Sequence, residues 1–170
     1  MSETLEPALP DALDRKAERV MRRLCDKQLK VATAESCTGG LLASLLTDIE
    51  GAGHGFDRGL VCYNGEAKQQ LLGLPQALVD RNDAVNAEVA KAMAEGALER
   101  CKADIALSVT GFAGPAGEGR EEGLVFMGLA RRGKPTRVEE RHFGAIGRGP
   151  VRIEALKVLI AMLEEAVEES

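Results

Sequence analysis

The stretch VATAESCTGG, residues 31–40, decides how this chain folds, because it passes from a short β-type segment directly into a turn of small polar residues that opens a helix. Val31, Ala32 and Thr33 extend as a strand, and Ser36, Thr38, Gly39 and Gly40 form the turn. Leu41, Leu42, Leu45 and Leu46 then recur at the spacing of one buried helix face. Backbone N–H groups at such a terminus attract anions, whether a phosphate or a developing oxyanion. The hydroxyls have two readings: Ser36 or Thr38 caps the helix, or Ser36 is a nucleophile. Cys37 is a rival nucleophile, since a helix N-terminus lowers the pKa of a thiol.

Outward from this unit the elements alternate. Leu13, Ala17, Val20, Met21 and Leu24 predict a helix before the strand, and a helix over residues 41–49 follows it. The glycines of GAGHGFDRG mark a loop, residues 59–63 read as a second strand, and residues 66–72 as a short helix ended by Gly73 and Pro75. Residues 88–101 carry Val89, Met93, Ala97 and Cys101 on one helix face, and residues 105–110 are an apolar run typical of a strand covered on both sides. Segments 124–130 and 138–143 flank a Gly-Lys-Pro turn and predict an antiparallel pair, and a last helix starts near Pro150. This order predicts an α/β fold, a three-layer α/β/α sandwich with a mixed sheet.

Composition narrows the function classes. A chain of 170 residues with 45% hydrophobic content predicts one domain, since a domain holds roughly 100–200 residues. A net charge of −5 and an aromatic content of 3% argue against nucleic acid, which draws its affinity from clustered cations and stacking rings. No basic leader precedes an apolar core and no apolar run approaches the roughly 20 residues of a membrane span, so the expected location is cytoplasmic. Cys25, Cys37, Cys62 and Cys101 contain no CxxC pair, which removes zinc-knuckle and redox-dithiol readings.

Ligands of such sandwiches bind at the carboxyl ends of the strands, which puts the loops after Ala34, Tyr63 and Thr110 around one crevice. Ser36 and Thr38 lie on the first, Tyr63 and Lys68 around the second, and Thr110 with the glycine-rich segment 111–119 on the third. His54 and His142 lack the local signatures of a Ser-His-Asp triad, so Lys68 is the better base for Ser36. Acting near neutral pH requires its pKa to fall by roughly 2–3 units, through desolvation or nearby positive charge. The competing readings are a solvated helix lysine and a packed sheet tyrosine.

AESCTGG at 34–40, GLVCYNGEAKQQLLGL at 59–74, the pair Ala84 and Val85, ADIALSVTGFAGPAG at 103–117 and RGPVR at 148–152 together resemble the CinA carboxyl-terminal domain family, whose best-known activity is nicotinamide-nucleotide amidase. The resemblance extends over nearly the whole chain and implies the stand-alone form, without the amino-terminal domain of longer relatives. It implies hydrolysis of nicotinamide mononucleotide to nicotinic acid mononucleotide and ammonia, with no metal or other cofactor and a small-molecule nucleotide as partner. Ser36 becomes the nucleophile, Lys68 the general base and Tyr63 the assisting hydroxyl. Thr38, Gly39 and Gly40 become binding or oxyanion-hole backbone, Thr110 and Gly111 pocket lining, and Arg148 a phosphate ligand.

This chain departs from the family pattern at Asn86, where serine is common, at Gly147, where an acidic residue is common, and at Glu121 and Glu122, where a Lys-Pro is common. The alternative from another class is a noncatalytic nucleotide-binding module linked to competence or DNA damage. The apolar last helix suggests a homo-oligomer, or else packs on its own sheet.

Overall fold

Helix α1 (Asp11–Asp26) buries Leu13, Ala17, Val20, Met21 and Leu24, the residues whose spacing predicts it, and leads into strand β1 (Val31–Glu35). The computed structural model describes residues 9–170; the expectation that no leader segment precedes the fold falls partly on residues 1–8, outside the described ones. From β1 the chain enters helix α2 (Leu41–Thr47), then strand β2 (Phe56–Val61) and helices α3 (Gly65–Leu72), α4 (Gln76–Val79) and α5 (Ala87–Glu99). Strands β3 (Ile105–Gly111), β4 (Leu124–Arg131) and β5 (Arg137–His142) follow, and helix α6 (Arg148–Glu168) completes the order.

The five strands form one sheet in the order β2-β1-β3-β4-β5. β1 pairs in parallel with β2 and β3, while β4 runs antiparallel to both β3 and β5, so the sheet is mixed as expected. Alternation along the strands gives its faces different characters. Val31, Ile105, Leu107, Val109, Val125, Met127 and Leu129 meet α1, α2 and α6. The opposite face, with Ala32, Ala34, Ala106 and Ser108, is built of small residues, and there α5 comes close enough for the Ser108 hydroxyl to donate to the Ala90 carbonyl at 2.6 Å. Helices on both faces make the three layers.

Several element boundaries differ from expectation. β2 begins at Phe56 rather than at residue 59, because an edge strand with an exposed outer row carries Asp57 and Arg58 without penalty. The short helix α4 has no apolar period of its own and was not expected. α6 begins at Arg148, so Pro150 occupies its third position, still within the turn whose N–H groups have no helical acceptor. The apolar side of α6, including Val151, Leu156, Leu159, Ile160 and Leu163, is buried in the core shared with α1. Among the described residues no helix is long and apolar enough to cross a membrane.

Candidate active site

The carboxyl ends of the three parallel strands open on a cavity of about 390 Å³, lined by Ser36 and Cys37, Tyr63 and Lys68, Asp83 and Val85, residues 111–116, Arg120 and Arg148. Ser36 follows the last residue of β1, and its backbone N–H continues the sheet by donating to Val109 at 3.0 Å. Its side chain makes no hydrogen bond to the described protein atoms and is 6% exposed, at the cavity wall. The strand end therefore fixes the Ser36 backbone while leaving its Oγ available to a ligand.

The expected anion-binding helix terminus is corrected by Glu35. Its carboxylate is buried and accepts from the Thr38 hydroxyl at 2.6 Å and from the backbone N–H groups of Gly40, Leu42 and Ala43 at 3.1, 3.0 and 2.8 Å. The positive end of α2 is thus neutralised by the chain's own side chain. Gly39 donates its N–H to the Ser36 carbonyl at 3.1 Å. Thr38, Gly39 and Gly40 consequently build the turn rather than line the cavity. The Cys37 N–H has no partner among the described residues. It belongs to the peptide whose carbonyl Gly39 holds, and the planar trans peptide turns it the opposite way.

Lys68 reaches the site from α3, a helix capped by the Asn64 side chain, which accepts from Ala67 N–H at 2.8 Å. The whole residue is 1% exposed, and its ammonium has no carboxylate partner among the described residues. Nζ donates to the Ala84 carbonyl at 2.9 Å and to Thr110 Oγ1 at 3.0 Å. Burial lowers its pKa from 10.5 to about 8. The neighbouring thiols offer no countercharge at neutral pH, since burial pushes Cys37 up to about 12 and Cys62 up to about 11. Cys37 is accordingly a protonated core residue, and the expectation that the helix terminus activates it is overturned by desolvation.

Gly111 lines the cavity, whereas Thr110 lies one layer behind it, fully buried, where it orients Lys68. Tyr63 stands at the mouth with 64% exposure. Arg148, exposed at the first residue of α6, reaches the cavity past Gly114, where a Cβ would come within 2.8 Å of its guanidinium. It forms no ion pair among the described residues. Neither histidine lines the cavity, and His142 is instead bound at the surface between Glu121 and Glu140.

Sequence reasoning missed three contributors. Arg152, in the same RGPVR segment as Arg148, donates from Nε to the Cys37 carbonyl at 2.7 Å and ties α6 to the serine turn. Asp83 and Arg120 form an ion pair on the cavity wall. Glu35 was legible only as an acid before the serine. The departures prove compatible with the fold: Asn86 caps α5, accepting from Val89 N–H at 2.9 Å as a serine would, and Gly147 has φ +98°, a conformation that other residues rarely adopt.

Fold and cavity define a three-layer α/β/α protein with a ligand crevice at the carboxyl ends of its parallel strands. The chain belongs to the CinA C-terminal domain family, whose model matches residues 13–167. It is 46% identical over 129 residues to a putative competence-damage inducible protein of Caldicellulosiruptor bescii, which covers 75% of this chain and 31% of that one. It is 43% identical over 145 residues to a CinA-like protein of Chlorobaculum tepidum, covering 84% of this chain and 31% of the relative. The chain thus spans about a third of the length of these curated relatives. The crystal structure of the competence/damage inducible protein CihA from Agrobacterium tumefaciens superposes with a TM-score of 0.89 at 36% identity, covering 94% of this chain and 98% of that one. A CinA superfamily protein from Escherichia coli gives 0.83 at 34% identity, covering 90% of each.

Proposed function

We propose that this protein hydrolyses the carboxamide of nicotinamide mononucleotide, releasing nicotinic acid mononucleotide and ammonia. The observation that carries the reading is the pairing, on one cavity, of an unengaged serine hydroxyl with a desolvated lysine that has no counterion. Structural lysines are rarely kept in such a state, whereas a base working near neutral pH needs it.

Ser36 Oγ attacks the amide carbon, and its proton passes to the neutral amine of Lys68, with the Tyr63 hydroxyl at the mouth assisting. Charge developing on the amide oxygen is met by the Cys37 N–H. The C–N bond breaks as Lys68 returns the proton to the departing nitrogen, and ammonia leaves. Water then attacks the acyl-serine, Lys68 takes its proton, and the acid is freed as Ser36 is reprotonated. Arg148 on the rim binds the phosphate, and the cavity's two guanidinium groups against one carboxylate suit an anionic substrate within a chain of net charge −5.

A second reading, a nucleotide-binding module without catalysis, draws on the lack of a hydrogen bond between Ser36 Oγ and Lys68 Nζ. Ammonia release from the mononucleotide, measured with purified protein, tests both. Stoichiometric turnover is the expected result; tight binding without ammonia would replace the amidase with the module.

A further inference from the structure

Asn82, Asp83 and Ala84 have φ angles of +48°, +52° and +58°, three consecutive left-handed residues with no glycine among them. Each such residue is unfavourable, and a run of them persists only where its surroundings over-determine it. Within the turn, Ala84 N–H donates to Arg81 at 2.9 Å, Val85 N–H to Asn82 at 2.9 Å, and Asn82 Nδ2 to Val85 at 2.6 Å. From other elements, Lys68 and Thr110 hold the Ala84 carbonyl, and the contact that reaches Asp83 itself is its ion pair with Arg120. Arg120 is itself placed by the β3–β4 connection: its Nη1 donates to the Ala116 carbonyl at 3.3 Å, and its guanidinium lies 6.0 Å above the Phe112 ring.

The product of this turn is the Ala84 carbonyl, which receives both Lys68 Nζ and Thr110 Oγ1. Ala84 and Val85 are buried and form the cover over the amine, while Asp83 and Arg120 are half exposed. We infer that the Asp83–Arg120 ion pair is a positioning device for Lys68: it pins the left-handed turn whose Ala84 carbonyl holds the amine, and keeps water from the covered side. The inference rests on the amidase reading for what Lys68 does, and on geometry alone for how it is held. The ionisable groups beside the amine are the Cys37 and Cys62 thiols, and Tyr63, Asp83, Arg120 and Arg148 line the same cavity.

The test is an NMR titration of the Lys68 side chain in the full chain, without substrate. Asp83→Asn keeps a residue tolerant of left-handed backbone but removes the charge. Charge removal alone would lower the Lys68 midpoint, since a nearby carboxylate favours the ammonium. Loosening of the turn admits water and raises it. The expected result is a rise, limited to about 0.7 of a pH unit by the coupling an exposed pair can transmit. Arg120→Lys, made singly and retaining the ion pair, should keep the wild-type midpoint. A midpoint in Asp83→Asn that falls or does not move overturns the inference, as does a shift in Arg120→Lys equal to that in Asp83→Asn. The titration needs no turnover, so a wild-type protein that releases no ammonia but shows the shift loses the amidase reading and keeps the device.

Discussion

The Lys68 amine and the Thr110 hydroxyl share one acceptor, the Ala84 carbonyl, at 2.9 and 3.0 Å. Because Thr110 gives its only proton to that carbonyl, its oxygen can only accept from Lys68, at 3.0 Å. Two of the amine's hydrogens are therefore fixed, and the position that titrates is the third. A lysine bound in this way presents either a proton or a lone pair in a single direction.

Replacing Ser36 by alanine should abolish ammonia release while leaving stability to urea nearly unchanged, within about 0.5 kcal/mol, because its hydroxyl makes no hydrogen bond among the described residues. Cys37→Ala should keep most of its turnover, and Cys37 in the wild-type protein should resist iodoacetamide at neutral pH, since burial pushes its thiol up to about 12. Inactivation by alkylation at Cys37 would return it to contention as nucleophile.

Turnover should rise with pH as a single deprotonation with a midpoint near 8, the value to which burial lowers Lys68. The same depression acts on stability. Between about pH 8 and 10.5 the unfolded chain binds more protons at this site than the folded one, so stability climbs with pH across that window and the penalty is complete below it. Lys68→Met, which removes the charge and leaves Ala84 paired with Thr110, should be inactive yet more stable by about 2–3 kcal/mol at pH 7. That gain should vanish above pH 10.5, as urea titrations at the two pH values would show.

Glu35→Ala strips the acceptor from three backbone N–H groups and the Thr38 hydroxyl at once. A loss of about 3–5 kcal/mol is expected, larger than any ordinary helix cap supplies, because four donors are orphaned at once, two buried and two partly buried. Urea denaturation measures it. A loss under about 1 kcal/mol would mean that water replaces the carboxylate without difficulty.

Arg148→Ala should leave stability unchanged, since the side chain is exposed and forms no ion pair among the described residues. Catalytic efficiency on the mononucleotide should drop about 10- to 150-fold, a lost charged contact of roughly 1.5–3 kcal/mol, with little change on the riboside. Equal wild-type rates on mononucleotide, riboside and free nicotinamide would reject phosphate recognition and point to another amide.

Where side-chain pattern and backbone agree, the fold was legible in the chain: the buried runs of β1 and β3 and the α1 stripe read directly as strands and helix. β2 was misplaced because its outer row faces solvent, so no apolar alternation marks its start. Ser36, Tyr63, Lys68, Gly111 and Arg148 share one cavity, as the strand-end rule implies. Thr38, Gly39 and Gly40 stand behind it, because the turn uses its groups on itself around a carboxylate no spacing rule announces, and Thr110 stands behind it because its hydroxyl is spent on Lys68 and Ala84. Asn82 and Asp83 tolerate left-handed backbone, but Ala84 does not announce it, and the run is held by the turn's own hydrogen bonds together with contacts from distant segments.

The Arg152 contact to the Cys37 carbonyl joins positions 115 residues apart. Because β1, α3 and β3 all precede Arg152 in the chain, ribosomal synthesis lays down the serine turn before the residue that clamps it. A fragment ending before α6 lacks this clamp and Arg148 together.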